Sequence, residues 1–351
     1  MPRPRPTAPR SRILRGLAAL AVLALAGCTG AGPSDVVVQP GAARVAAAPT
    51  TTVNLFAHAV AKPAYDAVVP AFQRTPAGTG VAVQQSYGAS GDQSRKVAAG
   101  AEADLVQLST EPDLTRLVNA GLIDPTWNAG ERGGVPFGSV VTLVVRTGNP
   151  KGIADWDDLL QPEVEVVTPN PFSSGSARWN LLAPFAAESH GGADPAAGLA
   201  YVEKLVSEHV RIQPKSGREA TEAFLQGRGD VLLSYENEAL FIEQNGDPVE
   251  HVTPPQTFRI DNPVAVLKGS ENLPVAEAFA DYLYTTEAQR LVAGAGFRPV
   301  DEQVAAEFAK AFPRPEKLWT IADLGGWSAV DAALFEPRTG AIATIYDAVT
   351  Q

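Results

Sequence analysis

The chain has a single cysteine, Cys28, in 351 residues, so it can form no internal disulfide. Histidine is nearly as scarce. His58, His190, His209 and His251 are the only four, none sits in a metal-ligand spacing, and none stands beside a nucleophile motif. No metal, cofactor or catalytic residue is expected on these grounds. The serine elbow of a hydrolase, Gly-x-Ser-x-Gly, is missing, because Gly88-Ala89-Ser90 continues as Gly91-Asp92. A phosphate-gripping Gly-Lys-Ser/Thr loop and a repeat at a solenoid period are also absent. Basic charge is in short supply: without residues 1–27, which hold five arginines and no acid, 23 basic residues face 39 acidic ones, a net charge of −16. That balance argues against nucleic acid or an acidic membrane surface as a partner.

What is present begins with a leader. Arg3, Arg5, Arg10, Arg12 and Arg15 precede the apolar run Leu17 to Leu25 and then Ala26-Gly27-Cys28. This is the grammar of a secretory signal, too short to span a membrane as a stable helix. Cys28, directly after Leu-Ala-Gly, resembles the lipobox of bacterial lipoproteins, which implies removal of 1–27 and a lipid on Cys28. An ordinary cleaved signal with an incidental cysteine is the plainer alternative. Residues 28–51, rich in Ala, Gly, Pro and Val with almost no charge, read as a flexible tether. The expectation is an exported protein facing the extracytoplasmic side, held to the cell membrane only through the lipid anchor.

About 300 mature residues are enough for two lobes. Short β-rich runs at 52–56, 81–85, 104–108, 140–146, 164–168, 230–234 and 263–267 alternate with apolar spacings of 3.6 residues at 65–74, 93–100, 112–120, 156–160, 178–190, 196–208, 220–226 and 275–284. Such alternation predicts an α/β fold with largely parallel sheets, in which ligands bind beyond the carboxyl ends of strands where helices begin. Two segments stand at such places: Ser86-Tyr87-Gly88-Ala89-Ser90-Gly91-Asp92 and Pro171-Phe172-Ser173-Ser174-Gly175-Ser176-Ala177-Arg178-Trp179. The first turn of a helix carries unpaired N–H groups and about half a positive charge, glycine allows close approach, and a serine hydroxyl adds a donor. That combination suits an anion. On the residues alone, capping is the better account of Ser90 and Ser174, at about 1 kcal/mol of helix stability each.

These segments, with Gly148-Asn149-Pro150-Lys151, Asp155-Trp156-Asp157-Asp158-Leu159, the run Gly229 to Ala239, and Gly296-Phe297-Arg298-Pro299, resemble the sulfate-binding proteins of bacterial ABC importers. The likeness runs in order from about Asn54 to Trp327. It implies a two-lobe periplasmic-binding-protein fold of type II, with the ligand in the interlobe cleft and an ABC permease with its cytoplasmic ATPase as partner. It also implies a monomeric receptor, not an enzyme. Other oxyanion receptors, for molybdate or thiosulfate, are the alternative, and a secreted hydrolase ranks below them. By this resemblance Ser90 and Ser174 offer hydroxyls, while Gly175, Ser176, Gly217 and Ala59 offer backbone N–H groups. Tyr235 stands where the family commonly has a tryptophan, so a phenol must replace an indole donor. The expected lobes are 52–132 with 263–351, and 133–262.

Sulfate at neutral pH only accepts hydrogen bonds, whereas phosphate keeps a proton that needs an acceptor. A donor-only site therefore separates them, and a carboxylate in the site reverses the preference; Asp92 is the nearest candidate. Arg178 is expected to brace its loop. Glu236 and Glu238, two apart on a helix, do not face one another and are read as hinge or docking residues.

Overall fold

The computed structural model describes residues 50–350. The expected signal, Cys28 and nearly all of the expected tether therefore lie outside the described residues.

Among the described residues twelve strands follow one another as β1 (Thr51–His58), β2 (Val81–Gly88), β3 (Leu105–Gln107), β4 (Phe137–Arg146), β5 (Val166–Val167), β6 (Val210–Ile212), β7 (Val231–Tyr235), β8 (Val249–Val252), β9 (Gln256–Asn262), β10 (Val264–Val266), β11 (Arg298–Pro299) and β12 (Lys317–Trp319). They form two sheets: a four-stranded one in the order β10-β3-β1-β2, and a larger one in the order β12-β9-β4-β7-β5-β6, with β8 and β11 also on β4. Each carries its own core, giving two lobes. Tyr65, Phe72, Phe137, Phe279 and Phe297 fill the smaller. In the larger, Trp179 stands between Phe258 and Trp327, with ring centroids 5.7 and 4.7 Å away.

β1 and β2 run parallel over eight residue pairs, as strand–helix alternation requires. The expectation of largely parallel sheets fails at β4, whose partners β7, β8, β9 and β11 are all antiparallel to it. β4 explains itself: nine of its ten residues are buried, as suits a strand covered on both faces.

The division of the chain also differs from the sequence expectation. Val264, Phe279, Val292 and Phe297 stay with the smaller core, whereas the last stretch does not. β12 pairs with β9, and Trp327, Val330, Leu334, Phe335, Ile342 and Tyr346 enter the larger core. Arg178 fixes this return, with its guanidinium on Asp331 and over the Phe335 ring. Apolar burial of this kind is a long-range outcome that local periodicity does not carry.

Seven helices position the site: α1 (Lys62–Phe72), α2 (Ser90–Ala98), α3 (Glu111–Asn119), α4 (Gly175–Glu188), α5 (Pro195–Lys204), α6 (Gly217–Leu225) and α7 (Glu236–Gln244). Among the described residues no helix is long and apolar enough to cross a membrane.

Candidate functional site

The starts of α2, α4 and α6 converge on one gap between the two lobes. From the smaller-sheet side it is lined by His58, Ala59, Val60, Gly88, Ala89, Ser90 and Ser109; from the larger, by Ser174, Ser176, Ser216 and Gly217. No Asp, Glu, Lys or Arg is in that lining. His58 carries no charge at neutral pH, because complete burial pulls its imidazole down to about 4 against the upward pull of the Gln107 carbonyl and Asp113. The gap is small, about 10 Å³, the scale of a single small occupant. Wider grooves of about 540 and 390 Å³ lie around Trp127, but charges of both signs line them, among them Asp124, Lys268, Arg132 and Arg259.

Glycine is needed in this gap for clearance and not for backbone conformation. Gly91, Gly175 and Gly217 all have ordinary negative-φ backbones, yet a Cβ on each meets a neighbouring atom. On Gly175 it falls 2.5 Å from the Ser109 Cβ, on Gly91 2.9 Å from the Ser173 carbonyl, and on Gly217 3.0 Å from the Ser176 hydroxyl and 3.2 Å from Val60. Two hydrogen bonds tie the facing elements at the same place. The Trp179 indole donates to the Ser109 carbonyl at 2.7 Å, and the Gly91 N–H donates to the Ser173 carbonyl at 3.1 Å.

The structure brings Ala59, Ser90, Ser174, Ser176 and Gly217 together, with Gly175 between two of them in the chain. Capping does not account for the serines. Ser174 occupies the N-cap position of α4 without making a cap bond, and its hydroxyl lies 2.7 Å from that of Ser176. Ser90 is the first residue of α2 rather than its cap. The serine that does cap is Ser216, which accepts the Glu219 N–H at 3.2 Å.

Ser90 is already engaged. Its hydroxyl donates to Asp113 at 2.5 Å and its oxygen accepts the Ser109 N–H at 2.9 Å. To donate to an anion in the gap, that hydroxyl must turn away from Asp113, which keeps Thr110 and Arg116 as partners, both at 3.1 Å. Sequence reasoning missed Asp113 and looked instead to Asp92, which faces solvent and pairs with Arg95. A signal for Asp113 exists: Ser109-Thr110-Glu111-Pro112-Asp113 follows β3 with the spacing of a capping box.

Tyr235 is not part of the lining. It ends β7 and is 1 % exposed; burial pushes its phenol upward, opposed by the neighbouring Ser109 and Asn262 side chains and helped by the Asp113 charge. Glu236 and Glu238 have no role in the gap. Arg298 clasps Glu236 at 2.7 and 2.8 Å. Burial pushes the Glu238 carboxyl up, opposed by Arg218 at 3.0 Å.

The chain as a whole has close counterparts among known proteins. Residues 53–298 match the family described as bacterial extracellular solute-binding protein. A sulfate-binding protein of Synechococcus elongatus is 40% identical over 292 residues, covering 81% of this chain and 83% of that one. A thiosulfate-binding protein of Pseudomonas aeruginosa is 34% identical over 309 residues, 84% of this chain and 91% of its own. The solved sulfate-binding protein of Mycobacterium tuberculosis superposes with a TM-score of 0.81 at 61% identity, covering 81% of this chain and 99% of that one. The chain thus belongs to the bacterial extracellular solute-binding proteins, in company with the sulfate-binding proteins it matches.

Proposed function

We propose that this protein is an extracytoplasmic sulfate receptor that closes its two lobes on the dianion and delivers it to an ABC permease coupled to a cytoplasmic ATPase. The observation that carries this reading is the gap itself: three helix starts and several serines converge on it, and no ionised side chain lines it. The N–H groups of Ala59, Gly175, Ser176 and Gly217 and the hydroxyls of Ser174 and Ser90 hold the anion, with helix dipoles in place of a countercharge. Burying a dianion among neutral donors favours the ligand that can use them all, and an unpaired group costs about 1–3 kcal/mol. Phosphate brings a proton, and the lining offers no carboxylate to receive it.

Ligand that touches both lobes stabilises the closed form by its differential affinity for it. The receptor acts as a monomer without catalytic chemistry, tethered through Cys28, and reads as two lobes whose last segment returns to the second. Sulfate is favoured over thiosulfate by the 61% identity to the solved sulfate-binding protein, against 34% to the thiosulfate relative.

The mature protein is expected to melt at a higher temperature in sulfate. At about 100 times Kd the stabilisation is about 2.7 kcal/mol, worth about 5 °C for a chain of this size. Equal phosphate is expected to give no shift, and equal shifts with both anions contradict the donor-only site. Calorimetry on Ser174→Ala is expected to read a loss of about 1–3 kcal/mol in sulfate binding; unchanged affinity returns Ser174 to a purely structural role.

A further inference from the structure

Behind the gap lies a set of buried polar atoms that the anion reading leaves unused. Asn262 is the last residue of β9, fully buried opposite Phe137 of β4, and Pro263 then leads into β10 of the other sheet. It therefore sits where the chain crosses between the lobes. Both ends of its amide, Nδ2 and Oδ1, have no hydrogen-bond partner within the chain. The Tyr235 hydroxyl, which is beside Asn262 and Ser109, has none either, and the same holds for Gln107 Oε1 and His58 Nε2.

These residues are linked. Gln107 Nε2 donates to the Asn262 carbonyl at 3.4 Å, His58 Nδ1 faces the Gln107 carbonyl at 3.3 Å, and the His58 and Tyr235 rings are 6.5 Å apart. A ring nitrogen beside a carbonyl can only donate, so Nδ1 carries the proton and Nε2 is a bare acceptor. The orphaned groups then divide into donors, Tyr235 O–H and Asn262 N–H, and acceptors, His58 Nε2, Gln107 Oε1 and Asn262 Oδ1. A water molecule accepts two hydrogen bonds and donates two, so a single one can serve both donors and two of the three acceptors, and buried polar groups left in such arrangements are ordinarily satisfied by water.

We propose that Asn262 is a positioning residue of the anion site: with Tyr235 and Gln107 it holds a buried water that donates to His58 Nε2 and so fixes the His58-Ala59 turn at the gap. The effect on binding rests on the reading of the gap as a sulfate site, whereas the water itself does not. Neither Asn262 nor Tyr235 touches the ligand. Their influence passes through His58, the last residue of β1, to the Ala59 N–H at the gap wall.

The test uses the mature chain, Tyr235→Phe, Asn262→Leu and the double variant. Calorimetry with sulfate is expected to show a loss of about tenfold for each single variant and no further loss for the double, because both remove the same water. Nitrogen NMR of the unliganded proteins is expected to show the His58 Nε2 resonance of an acceptor in the wild type, moved towards that of an unbonded nitrogen in each variant. Tyr235→Phe preserves shape, so it answers the question even if Asn262→Leu unfolds. Unchanged affinity, additive losses, or a His58 resonance indifferent to both substitutions overturns the proposal. If the wild type binds no sulfate, the receptor reading fails by itself, and the resonance still decides whether the water is there.

Discussion

Replacing Gly175 with valine is expected to lower sulfate affinity on the order of 100-fold while leaving the unliganded protein folded. Gly175 has an ordinary negative-φ backbone, so valine meets no conformational barrier there beyond a small loss of helix propensity in the first turn of α4. Its cost is steric. A Cβ at this position lies 2.5 Å from the Ser109 Cβ, 3.1 Å from Thr110 Cγ2 and 3.3 Å from an Asp113 oxygen. All three atoms belong to the β3–α3 segment of the facing lobe. The strain therefore appears only when the lobes come together. Parting them to make room weakens the Trp179–Ser109 and Gly91–Ser173 hydrogen bonds and draws the α4 N–H groups off the anion. Two or three weakened hydrogen bonds amount to about 3 kcal/mol, which is about two decades in Kd. Calorimetry with sulfate reads the affinity, and urea unfolding without sulfate reads the fold. Gly217→Ala is the milder comparison, since its neighbours at 3.0 and 3.2 Å are side-chain atoms that can give way. Wild-type affinity in the Gly175 variant means that this contact plays no part in closure. An equal loss of unliganded stability means that the lobes are joined there with or without ligand.

The residues around that contact show what a sequence reader can and cannot obtain. Helix-start chemistry is local: serine and glycine just ahead of an apolar spacing announce an exposed set of N–H groups wherever they occur, which singles out Ser90, Ser174, Gly175 and Ser176, whereas Gly217 comes only through the family resemblance. The same holds for β1, β2, β4 and β7, whose apolar runs suffice to mark a strand. Asp113 is a different case. It meets Ser90 across 23 residues, and only the packing of α3 beside α2 makes that carboxylate the keeper of the Ser90 proton. α7 shows no apolar spacing to set its bounds, because its first turn, Glu236-Asn237-Glu238, is polar and yet buried, held by Arg298 and Arg218 from elsewhere in the chain. β9 alternates buried Phe258 and Ile260 with charged Arg259 and Asp261, a period-two pattern hidden by the two prolines just before it. The return of 317–350 to the larger lobe had no local signal, since a three-residue strand and a few aromatics fit either core until Trp179 is in place. Short-range chemistry singled out these residues, and long-range packing decided what stands behind them.

His58 gives that packing a measurable consequence in acid. Its imidazole, buried and held as an acceptor, protonates only near 4 in the folded chain, against 6.5 ordinarily. Between those values the unfolded chain binds a proton that the folded chain does not, so the slope of unfolding free energy with pH is positive. The contribution of His58 is complete above about 6.5, is lost as pH falls towards 4, and changes no further below that. The interval corresponds to about 3 kcal/mol, and most of it is gone by about pH 4.5. Of the titratable groups around His58, Asp113 favours the protonated ring, while the neutral Tyr235 phenol adds no charge. Elsewhere in the fold, Glu238 and Asp261 work against the trend: burial raises both carboxyls, so the folded chain takes up their protons early and gains from acid. The profile of the wild type alone mixes these effects, but the difference from His58→Gln isolates the imidazole. Urea unfolding at about pH 7 and about pH 4.5 is expected to show the wild type losing about 2–3 kcal/mol more than the variant across that step. Parallel losses in the two proteins mean that His58 is hydrated in the folded state, and then neither the dry wall of the gap nor a single fixed water behind it describes this site.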